Sequence, residues 1–311
     1  MLPAPQRAGS IPLSVIAVVQ DAPKLFDADE TIARFARRLA EAAEANADLV
    51  VFPEAFLGGY PKGVDFGIRV GMRLPESREL YRRYFESAFP RGSTRLDKIA
   101  RLVREAGVNC VAGLIESVHR TLYCSTATFD RSGAIAGWHR KLMPTAMERV
   151  IWGSGDASTI EPAALDIGVA ATAICWENYM PRYRAHLYER GTRYWCAPTV
   201  DDREVWLPSM RMIALEGRCL VASACQMMTR ADGPDDGFHP IQGDDPDAVL
   251  IRGGSCIVSP MGEVLHAPVF DQRGVFTVAF DESELIGSAL DLDPAGHYTR
   301  PDVFPPESDL P

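Results

Sequence analysis

NCVAGLIESVHRTLYCSTATFDRSGAIAGWH, residues 109–139, decides the architecture. Residues 109–116 and 123–130 are apolar, β-branched runs of strand length, and the polar interruptions at 118–121 and 131–133 are short. Runs so closely joined pair as antiparallel neighbours. Outward from this meander, further strand-like runs fall at 11–20, 48–53, 171–175, 194–197, 220–225, 255–259 and 275–280. Apolar residues at helical spacing fill 30–45, 94–106, 181–190 and 209–217. Alternation of strand and helix predicts an α/β layered fold, and the meander adds antiparallel strands to it, so the sheet is mixed.

Nothing reads as a linker, so the 311 residues form one domain. A chain of this length buries roughly three quarters of its unfolded surface. Two polar, glycine-rich stretches, 58–76 and 231–247, are too long for ordinary connections and read as functional or interfacial loops. The tail from about Asp293 holds five of the 23 prolines and is irregular. With 32 basic against 42 acidic residues, the net charge of −10 repels nucleic acid and anionic membranes alike. No apolar run is long enough to span a bilayer, and residues 1–10 lack a signal-peptide core. A cytoplasmic protein is expected. Seven cysteines at irregular spacing, with no C-x-x-C pair, fit a reducing compartment and specify neither disulfides nor a zinc knuckle.

Three segments carry chemistry. In DLVVFPEAFLGGYPKG (48–63) a strand ends at Pro53 and delivers Glu54, which either caps a turn or faces a crevice. Desolvation against Phe52, Phe56 and Tyr60 would raise its pKa towards that of a general base. In GWHRKLMPTAMERVIWGSGD (137–156) the basic run at His139, Arg140 and Lys141 is either a solvated face or a source of one ammonium, Lys141, for the same crevice. Glu148 either pairs with it or is a surface acid. In AATAICWENYMPRYRAHLYERG (170–191) a strand stops at Cys175 and a helix follows. A thiol at that elbow would be exposed at the sheet rim, with its pKa lowered by the helix N-terminus; the alternative is a core cysteine followed by capping residues Glu177 and Asn178.

None of the six histidines sits where it is singled out as a base, and none pairs at metal-ligand spacing. Glu54, Lys141 and Cys175 complete a triad without them. The aromatic residues Tyr60, Trp152, Trp176 and Trp195 either line a pocket for an aryl or arylalkyl group or belong to the core.

FPEAFLGGYP, HRKLMPT and CWENYMP, in this order and spacing, resemble the signatures of the nitrilase superfamily of carbon–nitrogen hydrolases. The stretches APTVDDREVW (197–206), SMRMIALEGRCLVASACQ (209–226), RGGSCIVSPMGEVL (252–265) and GHYTRPDVF (296–304), and the Trp176–Glu177 pair, resemble its nitrilase branch. The resemblance implies an αββα sandwich, two mixed sheets between layers of helices, pairing through its outer helices into homodimers or higher oligomers. It implies Cys175 as nucleophile, Glu54 as general base, Lys141 as stabiliser of the tetrahedral species and Glu148 as a second carboxylate that positions Lys141 or assists proton transfer. The Trp176 backbone N–H would help hold the transition state, with Tyr60 and Glu177 near the substrate. The implied substrates are a nitrile and water, with no metal, nucleotide or organic cofactor, and the aromatic residues near the motifs point to an aromatic or arylaliphatic nitrile. Amidase, carbamoylase or cyanide-degrading chemistry on the same triad is the nearest alternative, and a catalytically silent scaffold the more distant one.

Overall fold

A computed structural model of the chain describes residues 13–72 and 74–304. The N-terminal segment read for a signal peptide, the first two residues of the run 11–20, and three of the tail prolines lie outside the described residues. The first sheet has the order β14–β1–β2–β3–β4–β5, from β1 (Leu13–Gln20), β2 (Leu49–Val51), β3 (Asn109–Val118), β4 (Thr121–Phe129), β5 (Ile135–Arg140) and β14 (Gly274–Asp281). Strands β1, β2 and β3 run parallel, while β3–β4–β5 form the antiparallel meander with Ile115 opposite Cys124. The second sheet has the order β13–β12–β9–β8–β7–β6, from β6 (Ala163–Leu165), β7 (Gly168–Thr172), β8 (Tyr194–Thr199), β9 (Leu220–Cys225), β12 (Cys256–Val258) and β13 (Val264–His266). Strands β10 (Met227–Thr229) and β11 (Val249–Arg252) pair as a separate ribbon.

Period-two alternation assigns each strand two apolar faces. In β1, Ile16 and Val18 meet Tyr194, Cys196, Leu220 and Ala222 between the sheets, whereas Ala17 and Val19 pack outward on α1 (Ala28–Glu44) and α3 (Thr94–Ala106). In β8, Trp195 and Ala197 turn the other way, onto α4 (Pro181–Tyr188) and α5 (Trp206–Gly217). The result is four layers, helix, sheet, sheet, helix, which is the αββα sandwich. Among the described residues no helix is long and apolar enough to cross a membrane.

The sequence misses α2 (Pro75–Glu86), whose only buried residue is Tyr84, so that it carries almost no apolar period. The loop expected over 58–76 therefore ends at Pro75, and it meets the second long loop where Ile241 N–H donates to the Gly63 carbonyl (3.1 Å). The run at 171–175 also ends early: β7 stops at Thr172, and Cys175 opens a 3₁₀ turn (Cys175–Tyr179).

Candidate active site

Glu54 is aimed inward by a break in the pairing of β2 with β3. Phe52 N–H donates to the Val111 carbonyl (2.8 Å) and Leu57 N–H to the Gly113 carbonyl (3.0 Å), so the four residues between them loop out of the ladder. Pro53 lacks an N–H to lose, and Ala55 takes the left-handed conformation with φ of 51°. The loop lies so close to β3 that a Cβ on Gly113 would stand 2.1 Å from the Pro53 carbonyl oxygen, which requires glycine there. Phe52 and Phe56 do not shield the carboxyl as the sequence suggests; they pack with Phe35 beneath α1. Burial comes instead from a cluster including Ala55, Ile115, Leu122, Cys124, Trp152 and Cys175.

Lys141 extends β5 by one residue, with its N–H on the Cys124 carbonyl (2.8 Å), and its side chain is fully buried. Its Nζ donates to Glu54 Oε1 (2.6 Å) and Glu148 Oε2 (2.8 Å) and lies 5.7 Å from the Trp152 ring centroid. Glu148 is fixed further by Tyr60, whose hydroxyl donates to Oε1 (2.8 Å), and by the Thr145 N–H (2.7 Å). Burial pushes the Glu54 carboxyl up to about 7, with Lys141 opposing and Glu148 reinforcing the shift. Burial alone would depress Lys141, but Glu54 and the surrounding acidic groups hold its ammonium well above the ordinary lysine range. Glu54 Oε2 is buried with no hydrogen-bond partner, leaving one acceptor free.

Cys175 also differs from the sequence expectation. It is buried rather than exposed, and burial pushes its thiol up, not down, with Glu54 adding to the shift and Lys141 opposing it. Desolvation therefore dominates, and the five-residue 3₁₀ turn keeps Cys175 out of the first turn of α4, where a helix dipole would act most strongly. Its φ of 50° is left-handed, a strained state for a residue with a Cβ. Asn178 holds the turn, donating from Nδ2 to the carbonyls of Cys175 (2.7 Å) and Ala173 (2.9 Å), and Trp195 Nε1 donates to Asn178 Oδ1 (2.8 Å). Thr199 Oγ1 donates to the Cys175 sulfur (3.3 Å).

Glu177, expected near the substrate, turns away from the crevice. Both oxygens are occupied: Oε2 accepts from Ile174 N–H (2.7 Å), Oε1 from Leu142 N–H (2.7 Å), and His139 Nε2 lies 3.0 Å from each. A fully engaged carboxylate has nothing left for a ligand. Desolvation works to lower the His139 pKa, but Glu177 and the Thr159 carbonyl carry it above the usual value. Trp176 is 43% exposed, its indole N–H on Asp201 Oδ2 (2.9 Å) and its ring under the Arg203 guanidinium (5.1 Å). Trp195 is core.

Sequence reading missed Cys124, with its sulfur 3.5 Å from Glu54 Oε1, and Gln226, with Nε2 on the Glu54 carbonyl (2.7 Å). It also missed Thr199. The last two end or directly follow strands β8 and β9, the position that singled out Glu54 and Cys175. A cavity of about 170 Å³ adjoins the cluster, lined by Tyr60, Ile68, Glu148, Val150, Ile151 and Trp152 among others.

Compared with known proteins, residues 15–288 match the family model for carbon–nitrogen hydrolases. A nitrilase of Bradyrhizobium diazoefficiens is 47% identical over 93% of this chain and 89% of its own length. An aliphatic nitrilase of Sinorhizobium fredii is 45% identical over 93% of each. The crystal structure of a carbon–nitrogen hydrolase from Helicobacter pylori superposes with a TM-score of 0.70 over 94% of this chain and 97% of that chain, at 20% identity.

Proposed function

The chain belongs to the carbon–nitrogen hydrolase family, and from that premise we propose that it is a nitrilase, converting an organic nitrile and water to the carboxylic acid and ammonia on Cys175. The observation that carries this reading is the buried ammonium of Lys141 clamped between Glu54 and Glu148, near enough to the Cys175 thiol for each to act on the other electrostatically. Glu54, poised near neutrality with one oxygen free, takes the thiol proton as sulfur attacks the nitrile carbon. That proton passes to the nitrile nitrogen, giving a thioimidate. Water adds to the C=N bond, and the tetrahedral species expels ammonia to leave an acyl thioester. A second water, deprotonated by Glu54, releases the acid and returns the proton to sulfur. If the tetrahedral species expels sulfur instead, the product is the amide. Lys141 and the Trp176 backbone N–H stabilise the charge that develops on nitrogen and oxygen, an effect worth a few kcal/mol per contact. Glu148, steadied by Tyr60, holds Lys141.

The substrate we propose is arylaliphatic or aromatic, because the cleft beside Glu148 is bordered by Tyr60, Val64, Ile68, Ile151 and Trp152, an apolar lining interrupted by Lys62 and Asp65. A short aliphatic nitrile is the second reading, favoured by the similarity to the Sinorhizobium enzyme. Met212 and Leu215, exposed on α5, suit self-association through the outer helices, and seven free thiols suit the cytoplasm. Ammonia release from phenylacetonitrile, benzonitrile, a short aliphatic nitrile and the matching amides tests the reading. Turnover of nitriles, lost in Cys175→Ala together with the Cys175 adduct in intact-mass spectra, supports it. Turnover of amides alone makes the protein an amidase, and no adduct with any of them makes it a scaffold.

A further inference from the structure

We propose that Glu177, backed by His139, is a positioning residue that sets the spacing between Cys175 and Lys141; this rests on the roles just given to those two side chains. Lys141 follows β5 in the first sheet and Cys175 follows β7 in the second. The two residues therefore share no β-ladder that would fix their separation. Glu177 supplies the missing link, since one oxygen receives the N–H of Ile174, immediately before Cys175, and the other the N–H of Leu142, immediately after Lys141. A single rigid group thus holds a backbone amide from each catalytic segment at 2.7 Å.

His139 completes the clamp. Its Nδ1 lies 3.0 Å from the Thr159 carbonyl, which only accepts, so Nδ1 carries a proton. Its Nε2 faces two carboxylate oxygens that already accept backbone amides, so it too donates, and the ring is an imidazolium paired with Glu177. Tyr183 stacks on that ring and donates its hydroxyl to the Thr172 carbonyl (2.7 Å), tying the pair to the end of β7. Glu177 and His139 are both buried, so neither trades these partners for water. Placement to within a fraction of an ångström is what the reaction needs, because a displacement of about 1 Å can cost on the order of a hundredfold in rate.

The test is Glu177→Gln in the full chain. An amide has one acceptor oxygen, and its NH₂ confronts either a backbone N–H or the imidazolium, so the spacing relaxes. The expected result is kcat reduced by about a hundredfold with KM changed by less than about threefold. His139→Gln, which can still donate to the carboxylate and leaves both backbone bonds intact, is expected to lower kcat by between about threefold and about a hundredfold and serves if Glu177→Gln does not fold. Wild-type kcat in a folded Glu177→Gln protein of lowered melting temperature overturns the proposal, as does a change carried by KM; where only His139→Gln folds, an unchanged kcat or a loss beyond about a hundredfold does so. Cys175→Ala, run beside them, separates the two failures: activity that survives it sinks the nucleophile assignment itself, while a dead Cys175→Ala with an unimpaired Glu177→Gln sinks the clamp alone.

Discussion

Arg140 and Lys141 are consecutive, and each pairs with a buried carboxylate, yet the two pairs are built differently. Glu116 is saturated: Arg140 grips it through Nε and Nη2 at 2.7 Å each, and Trp138 Nε1 and Ser125 Oγ add donors at 3.1 Å. Glu54 has Lys141 and the weak Cys124 thiol on one oxygen and nothing on the other. The planar fork of arginine suits a group that is to stay ionised and still. Lysine, a point charge shared with Glu148, leaves Glu54 an open lone pair and a proton affinity near neutrality. Burial without saturation distinguishes a carboxylate that can exchange a proton from one that only braces.

The largest expected effect comes from exchanging each carboxylate for its amide. Glu54→Gln should lower kcat for nitrile hydrolysis by at least about a thousandfold, of the order seen when a catalytic base is removed. Glu116→Gln should leave kcat within about fivefold while costing about 1–3 kcal/mol of stability through its lost charged bonds. Steady-state kinetics and urea unfolding on both variants measure the contrast. A Glu116→Gln protein as inactive as Glu54→Gln would break it.

The pH dependence follows next. With its folded pKa at about 7, Glu54 loses its base form on acidification, so kcat/KM should fall about tenfold per unit below that pH. Stability moves the other way. Because the folded pKa exceeds the ordinary carboxyl value, this group's contribution is fully present below about pH 4.5 and is lost as pH rises through 7. The melting temperature of Glu54→Gln relative to wild type should therefore climb between pH 5 and pH 8. A flat difference across that range would place the acid limb on another group.

A smaller effect is expected at the edge of the Lys141–Glu148 pair. Tyr60→Phe removes one bond to Glu148 Oε1 and leaves its contacts with Lys141 and Thr145 in place. The cost should be about tenfold in kcat/KM, roughly the 1.4 kcal/mol of one hydrogen bond to a charged group. Full activity in Tyr60→Phe would mean that Lys141 and the Thr145 N–H suffice to orient Glu148.

How far this site was legible depends on where its information resides. The layers were readable because α3 carries a clean helical period and β9 is an unbroken, fully buried run of strand length; Ser93 and the left-handed Gly107 close α3 at the ends its pattern sets. Glu54, Lys141 and Cys175 each follow a strand, a position visible in one dimension. What separates Glu54 from Glu116 is not visible there, because saturation depends on Trp138, Ser125 and Arg140 converging from other strands. Glu177 escapes the sequence for a similar reason: its place two residues beyond Cys175 predicts the crevice, but the 3₁₀ turn folds its carboxylate back onto Ile174. Gln226 and Thr199, single polar residues at strand ends, carry no local signal of what they touch.

The smallest effect tests whether short distance alone has meaning. On the solvent side of α2, Arg82 meets Glu79 at 2.6 Å, the same separation as Lys141 and Glu54, and reaches Glu86 as well. Those side chains are more than half exposed, whereas Lys141 and Glu54 are completely shielded. In water the attraction is screened and the ordering of two long side chains offsets most of the remainder. Arg82→Ala should leave the melting temperature within roughly 1 °C and kcat unchanged. Lys141→Met, with an identical ion-pair distance lost, should destabilise by about 3–5 kcal/mol because it strands Glu54 and Glu148 facing each other. Thermal melts of the two variants side by side isolate desolvation as the variable. An Arg82→Ala shift comparable to that of Lys141→Met would mean that burial is not what makes the inner pair matter.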